Sequence, residues 1–299
     1  MKQLHILNRM ARDLGMLPSQ LATLIRTAPL RYKTFTIKKR DGKDRHVAQP
    51  AREIKTIQRW LIEDLRQNLP IHPSVMAYEP GTSIKENAER HVKSNYLLKM
   101  DFTNFFPSIS AIDIENHLEK HCPTAYDLSE RKIISRACTW LPERSSSLQL
   151  CIGAPSSPLI SNSIMHEFDY IIGERAETDQ VTYTRYADDL TFSCNEKGIL
   201  SNYVDFVSET LKNLAYPRIS VNNNKTVHAS RACNRVVTGI TLTPDGNLSI
   251  GRERKREIRA MYHRSTKGLL NDEQLQILNG LLAFIENIEP GFSKKLKQR

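Results

Sequence analysis

Cysteine is scarce: the 299 residues include five, Cys122, Cys138, Cys151, Cys194 and Cys233. The number is odd and no two are spaced Cys-x-x-Cys, which argues against a disulfide framework and a zinc ribbon. Free thiols in a reducing cytosol fit best. Long hydrophobic runs are also missing, so no stretch reaches the length needed to cross a bilayer. The first nine residues, Met1 to Arg9, have no continuous apolar core and do not read as a secretory signal. A soluble cytoplasmic protein without membrane contact is the expectation. Acidic residues are in deficit, 33 Asp and Glu against 43 Lys and Arg, for a net charge of +10. That balance favours polyanions, nucleic acid first and an acidic membrane surface second. Charge alone leaves a soluble protein without such a partner equally open. Hydrophobic residues make up 39% of the chain, which is too much for disorder.

There is no internal repeat and no low-complexity tract. Leu4, Leu7, Ala11 and Leu14 recur at helical spacing, as do Leu21, Leu24 and Ile25 after a candidate Ser19 cap. Two short N-terminal helices are predicted. Residues 32–38 alternate in polarity as a strand, Asp41-Gly42 is a hairpin signal, and Arg45 to Ala48 forms the returning strand. Ile54, Ile57, Leu61 and Leu65 predict a helix over about 52–67, and the prolines of 70–82 predict a loop. Residues 96–100 read as a buried strand ending at Asp101, with a helix following Ser110. Residues 181–194 read as two strands around an acidic turn, followed by a helix near 200–214. Strands are predicted near 235–242 and 247–250, joined across Asp245-Gly246. The last fifty residues predict a separate helical lobe whose first helix carries Arg252, Arg254, Lys255, Arg256, Arg259 and Arg264. Charge pattern alone reads this equally well as a solvated helix pair capping the fold.

Three aspartates stand out by context. Asp101 closes an apolar strand, and Asp188 and Asp189 sit at the tip of a predicted hairpin. An acidic doublet in a turn is usually only a turn, because Asp satisfies local backbone donors. A strand bringing a third aspartate to the same place changes that estimate. Three close carboxylates repel severely unless cations lie between them. Hard divalent cations with oxygen ligands meet that need, Mg²⁺ being the usual occupant. Two such ions about 4 Å apart can clamp an in-line phosphoryl transfer. Lys43 and Arg45 on the early hairpin are candidates to meet a triphosphate, although an exposed charged hairpin is the plainer reading of charge alone.

Tyr186-Ala187-Asp188-Asp189 resembles the Tyr-x-Asp-Asp box of reverse transcriptases. Asp101 to Ile109 resembles their first catalytic motif, and Gly153-Ala154-Pro155-Ser156-Ser157-Pro158, with Asn162, their template-aligning loop and helix. Arg45 through Trp60 is similar to the first fingers motif. The motifs occur in family order over roughly residues 30–250. Asn87-Ala88-Glu89-Arg90-His91 and Val237-Thr238-Gly239 are similar to two elements of the retron branch. Without that context, Asn87 and His91 are an i, i+4 pair on a helix and Gly239 eases a strand bend. Two positions depart from the pattern. Ile152 stands where a glutamine often precedes Gly-Ala-Pro, and Tyr78 where a phenylalanine is common.

The resemblance implies an α+β right-hand polymerase. Residues 1–29 would be N-terminal helices, 30–250 fingers and an antiparallel-sheet palm, and 251–299 a small basic helical thumb. It implies that Asp101, Asp188, Asp189 and the Phe102 carbonyl hold two Mg²⁺ ions, with Mn²⁺ as a substitute. Phe106 would exclude a 2′-hydroxyl, and Lys225 would lie near the triphosphate together with Lys43, Arg45, Gly153, Ala154 and Pro155. Asn87, Ala88, His91, Val237, Thr238 and Gly239 would help recognise a cognate structured RNA, and Arg256 and Arg259 would hold the duplex. Copying of that RNA from an internal 2′-hydroxyl, deoxynucleotides as substrates, a branched DNA product, an effector partner and a role in antiphage defence come with it. Two other readings are weighed against this one. A group II intron-like reverse transcriptase usually carries a further region after the thumb, and the chain ends at Arg299. An RNA-binding scaffold that restrains an effector has no need of three mutually repelling carboxylates.

Overall fold

In the computed structural model, the described residues are 5–38, 42, 44–143 and 145–297. Asp41 and Lys43 therefore lie outside them. The chain opens with α1 (Ile6–Asp13) and α2 (Pro18–Thr27). α2 begins at Pro18, with Leu17 as its uncapped N-cap, rather than at a Ser19 cap. Proline at the first helical position has no amide to leave unsatisfied and sets φ for the helix, so it starts α2 by itself. α1 turns Ile6, Met10 and Ala11 inward.

β1 (Tyr32–Lys38) and β2 (Asp44–Pro50) pair antiparallel from Tyr32 opposite Pro50 to Lys38 opposite Asp44. α3 (Arg52–Arg66) buries Ile54, Ile57, Leu61 and Leu65, the stripe the sequence predicted. α4 (Ile84–His91) follows the proline-rich loop, and Ser83 caps it by accepting from the Glu86 amide. β3 (Tyr96–Thr103) runs past Asp101, so that residue sits inside the strand rather than at its end. α5 (Ala111–His121) starts in a capping box between Ser110 and Asp113, as the helix predicted after Ser110 requires. α6 (Leu128–Cys138), α7 (Ser157–Ile164) and α8 (His166–Thr178) complete the middle of the chain.

β4 (Thr182–Tyr186) and β5 (Asp189–Cys194) form the predicted acidic hairpin, and α9 (Ser201–Asn213) follows. The short strands β6 (Ser220–Val221) and β7 (Val227–Ser230) both pair with β3. The main sheet thus runs β4-β5-β3 and then β6 and β7, antiparallel throughout. β3 is central: Tyr96 to Asp101 face β5, while its other edge takes β7 and β6. The main core gathers α1–α3 and α5–α9 against this sheet, with Ile54, Leu98, Phe168 and Phe192 fully buried.

The predicted strand over 235–242 is two strands, β8 (Arg235–Val237) and β9 (Ile240–Leu242), with β10 (Leu248–Ser249) as the third of a separate sheet. Thr238 (φ 46°) and Gly239 (φ 82°) make the tight turn between β8 and β9. Both central residues at positive φ give the turn that matches strand twist. Helices α10 (Arg252–Thr266), α11 (Asp272–Ile288) and α12 (Phe292–Lys297) pack on this sheet. Their core includes Val237, Ile240, Leu242 and Ile250 and reaches Ala88 and Val92 of α4. The lobe expected to begin at residue 251 thus shares its hydrophobic core with residues 235–250. Among the described residues no helix is long and apolar enough to cross a membrane.

One ion pair is wholly enclosed. Arg185 of β4 and Asp169 of α8 have fully buried side chains and meet at 2.6 Å. The Arg185 Nε donates to the same carboxylate at 2.8 Å, and the Tyr183 hydroxyl donates to it at 2.7 Å. A buried pair contributes little beyond an apolar pair of equal volume, but removing one member strands the other charge. Arg185→Met is therefore expected to cost about 3–5 kcal/mol, read as a lower urea midpoint at unchanged slope. A loss below about 1 kcal/mol would show that the pair is not the enclosed charge described.

Candidate active site

Strand register brings the carboxylates together. Asp101 of β3 is directly opposite Asp189 of β5, and Tyr186 pairs with Asp189 across the two-residue turn Ala187-Asp188. Ala187 takes a left-handed backbone (φ 56°), strain of the kind that collects at functional sites. The Phe102 amide donates to the Asp188 carbonyl at 3.0 Å, and the Asn222 amide to the Asp101 carbonyl at 2.7 Å. The three residues are thus fixed by backbone hydrogen bonds. Beneath the turn, Arg185 donates to the Ala187 carbonyl at 3.2 Å and to the Asn162 side-chain oxygen at 3.3 Å. Asn162 in turn donates to the Ala77 carbonyl at 2.9 Å and to Glu79 at 3.0 Å. The acidic turn therefore rests on a polar floor drawn from α7, α8 and the loop before α4.

Charge in this cluster is unbalanced. Burial, and then Asp101, push the Asp188 carboxyl above its ordinary range. Burial pushes Asp189 up to about 6, with Lys99 opposing and the other two carboxylates adding to the rise. The Lys225 ammonium donates to both oxygens of Asp101, each at 2.8 Å, and its side chain is 52% exposed. Partial burial works against its charge, but the Asp101 carboxylate outweighs this and raises the ammonium overall. Lys225 thus neutralises one carboxylate and leaves two held toward protonation.

The cluster fits hard cations by its chemistry. It offers oxygen donors only, and the charge deficit is the one that divalent cations relieve. Lys225 is a stand-in for such charge at Asp101. Among the described residues no three His, Cys, Asp or Glu side chains converge as a ready-made cage. The lysine already occupies both oxygens of one arm.

The other predicted site residues fall into three places. Arg45 lies on β2, within electrostatic reach of Asp188, whose carboxyl its charge lowers slightly. Lys43 lies outside the described residues. Phe106 is half-buried and its ring centroid lies 5.3 Å from that of Phe105. Gly153 (φ 112°) lies against β2, where a Cβ would meet the Ala48 carbonyl and Val47 at 2.9 Å. The Ile152 carbonyl accepts from the Ala48 amide at 2.9 Å, so the Gly153-Ala154-Pro155 loop is seamed to the base of the hairpin. Arg256 and Arg259 are exposed on α10.

The third group corrects an expectation. Asn87, Ala88, His91 and Val237 are each 0% exposed. Their side chains point into the protein, so direct contact with RNA is not open to them. Of the six residues expected to recognise RNA, Gly239 is exposed and Thr238 half-buried. The sequence reading missed Arg185, Asp169 and Tyr183. The one signal was an arginine within an otherwise half-apolar strand, two residues before the acidic turn.

An antiparallel palm that presents three carboxylates at a strand–turn–strand, flanked by a basic hairpin and a basic helical lobe, defines a nucleic-acid polymerase. The reverse transcriptase (RNA-dependent DNA polymerase) family pattern matches residues 37–260. Two relatives from Escherichia coli are similar over nearly the whole chain. The retron Ec83 reverse transcriptase is 40% identical over 90% of this chain and 86% of its own. The retron Ec73 reverse transcriptase is 32% identical over 93% and 90%. Among solved structures, telomerase from Candida albicans, determined with a fragment of telomeric RNA, aligns with a TM-score of 0.52 at 13% identity. It matches 89% of this chain, which spans 56% of that protein, and the likeness concerns the fold. The chain belongs to the reverse transcriptase family, in its retron branch. It is an RNA-directed DNA polymerase.

The Asp189 shift makes a stability prediction. A carboxyl raised from 3.8 to about 6 stabilises the fold while protonated, below about pH 4, and that contribution is lost as pH rises through 6. Without divalent cations, Asp189→Asn is expected to match wild type near pH 4 and to exceed it at pH 7.5 by about 2 kcal/mol. Mg²⁺ should narrow the gap by stabilising wild type. A gap that stays constant with pH would contradict the shift.

Proposed function

We propose that this chain copies a cognate structured non-coding RNA into single-stranded DNA, starting from a 2′-hydroxyl within that RNA, so that the product is branched. The observation that carries the reading is the facing pair Asp101 and Asp189, with Asp188 in the adjoining turn, in a chain 40% identical to a retron reverse transcriptase. Asp101, Asp188, Asp189 and the Phe102 carbonyl would hold Mg²⁺ (or Mn²⁺). The ions would neutralise the reacting phosphate and make the attacking hydroxyl more acidic.

The chain's own residues do the rest by position and charge. The backbone hydrogen bonds that fix the three aspartates would order the substrate against a rigid frame. Lys225, half-exposed and held by Asp101 among the described residues, can turn its ammonium toward the incoming triphosphate once Asp101 is otherwise neutralised. Arg45, with Lys43, meets the same phosphates. The Phe106 ring would lie under the sugar and leave no space for a 2′-hydroxyl, which selects deoxynucleotides. The Gly153-Ala154-Pro155 loop, seamed to β2, would align the template base with that nucleotide. Exposed Arg256 and Arg259 of α10 would grip duplex phosphates without reading sequence. Of the two retron elements, the exposed Glu89 and Arg90 of α4 and the Thr238-Gly239 turn are the parts that a bound RNA can reach.

In the cell we place this activity in the cytoplasm, acting with an effector protein in antiphage defence, as the retron branch implies. The test is to express the chain with its flanking non-coding DNA and run the co-purified nucleic acid on a denaturing gel. Wild type is expected to carry a discrete DNA that resists RNase and shifts on debranching. The Asp188→Asn, Asp189→Asn double variant is expected to lack it. The same RNA and no DNA from both proteins would make the chain an RNA-binding scaffold instead.

A further inference from the structure

Two polar side chains of α4 are sealed in the interior against the acidic hairpin. Asn87 and His91, one turn apart, are both 0% exposed. The His91 Nε2 lies 2.7 Å from the Thr184 hydroxyl of β4, and its Nδ1 lies 2.8 Å from the Ser193 hydroxyl of β5. Thr184 spends its one hydroxyl hydrogen on the Asn87 side-chain oxygen at 2.7 Å. With the Asn87 amide oxygen facing Thr184, His91 Nε2 donates to Thr184 and Nδ1 accepts from Ser193. The imidazole is neutral, because burial pushes its pKa down to about 3. Thr184 and Ser193 are themselves 0% and 1% exposed.

The position of this ring is informative. Thr184 stands four residues before Asp188 and Ser193 four residues after Asp189, on the two strands that close the acidic turn. Thr184 pairs with Thr191, and Ser193 with Thr182, so the imidazole braces the two strands diagonally, beyond the backbone ladder. At its other end α4 is tied to the β8–β9 turn. The Thr238 hydroxyl donates to the Ile84 carbonyl at 3.1 Å, and Ala88 and Val92 share a core with Val237 and Ile240.

We propose that Asn87, His91, Thr184 and Ser193 are positioning residues for the polymerase site, setting the acidic hairpin rather than contacting RNA. The proposal rests on the polymerase reading above. Buried polar groups that bond one another hold their arrangement, because moving the His91 ring away strands both of its nitrogens; in this cluster the Asn87 amide nitrogen has no partner among the described residues. Here the joined groups are the two strands carrying the aspartates. Loosening them displaces the carboxylates without removing any.

The test is single-turnover incorporation of one deoxynucleotide on a preformed complex with an RNA template, with RNA affinity and melting temperature measured alongside. Thr184→Val keeps the shape and deletes the shared hydroxyl. His91→Phe keeps the ring and deletes both bonds. His91→Gln can restore one donor and one acceptor. His117→Phe is the control. That ring is bonded to Ser163 at 2.7 Å and Tyr216 at 3.3 Å, in the core but not on the hairpin strands. The expected result is an incorporation rate at saturating RNA and nucleotide about 10- to 100-fold lower in Thr184→Val and His91→Phe, with RNA affinity unchanged. His91→Gln should recover part of the rate, and His117→Phe should keep it at a similar loss of melting temperature. Weaker RNA binding with the rate intact overturns the proposal and makes these residues recognition elements. An unchanged rate and affinity in Thr184→Val, which has the least reason to misfold, also overturns it. A wild type that incorporates nothing defeats the polymerase reading itself, a separate outcome.

Discussion

The spacing of one strand pair forces Asp101 and Asp189 to face each other, with Asp188 beside them in the turn. Like charges at that separation resist being held together, and burial makes the resistance greater. Much of the molecule's polar interior answers this constraint. Lys225 cancels one carboxylate at the surface, and the enclosed Arg185 guanidinium lies behind the turn, bonded to its Ala187 carbonyl. Arg185 can sit there only because Asp169 is enclosed with it, and Asp169 only because Tyr183 and Arg185 satisfy its oxygens. Each buried polar group is tolerable because of the next, and the chain of support ends at the acidic hairpin.

A frame of this kind suits a reaction in which position and charge do most of the work. Phosphoryl transfer needs its partners held in line and its charge neutralised, with little covalent help. The fingers hairpin and the Gly153 loop are joined by a backbone hydrogen bond from Ala48 to Ile152. The side chain at 152 is not involved, so this contact survives the replacement of the usual glutamine. On the other flank, the helical lobe shares its core with β8–β10 and α4. A displacement of the lobe would therefore be felt at α4, and through His91 at the strands under the turn. The helical lobe and the strands under the acidic turn are thus joined through α4 by packing and hydrogen bonds.

Much of this architecture could be read from the residues. The hairpin of β1 and β2, the stripe of α3, the capping box before α5 and the acidic hairpin all have local signatures of period or turn chemistry. Other parts escaped, among them α6, although Asp127 and Glu130 form a capping box at its start. α7 was expected only through the resemblance of its loop and helix, because it is buried on nearly all sides, Leu159 to Ile164 included, and Ser-Pro-Leu-Ile-Ser-Asn-Ser-Ile shows no polar face to mark a helix. Val237-Thr238-Gly239 continues a β-branched run, which hid the turn that splits β8 from β9. A threonine at positive φ is not what a turn rule looks for. Asp169 and Arg185 are sixteen residues apart and belong to different elements, so no spacing rule joins them. Among the site residues, the carboxylates were legible because a motif carries them. The burial of Asn87, Ala88, His91 and Val237 was not, because a motif marks where a residue recurs and not which way it points.

The central claim is that the fold keeps three repelling carboxylates against its own stability because the reaction needs them. Melting temperature and single-deoxynucleotide incorporation on one RNA template, measured side by side for wild type and Asp188→Asn, test it directly. The account predicts that the variant melts at or above the wild-type temperature without divalent cations, while incorporation falls by about 100-fold or more. A variant that melts lower and still incorporates at the wild-type rate would contradict it, making the acidic turn a structural element and moving the chemistry elsewhere.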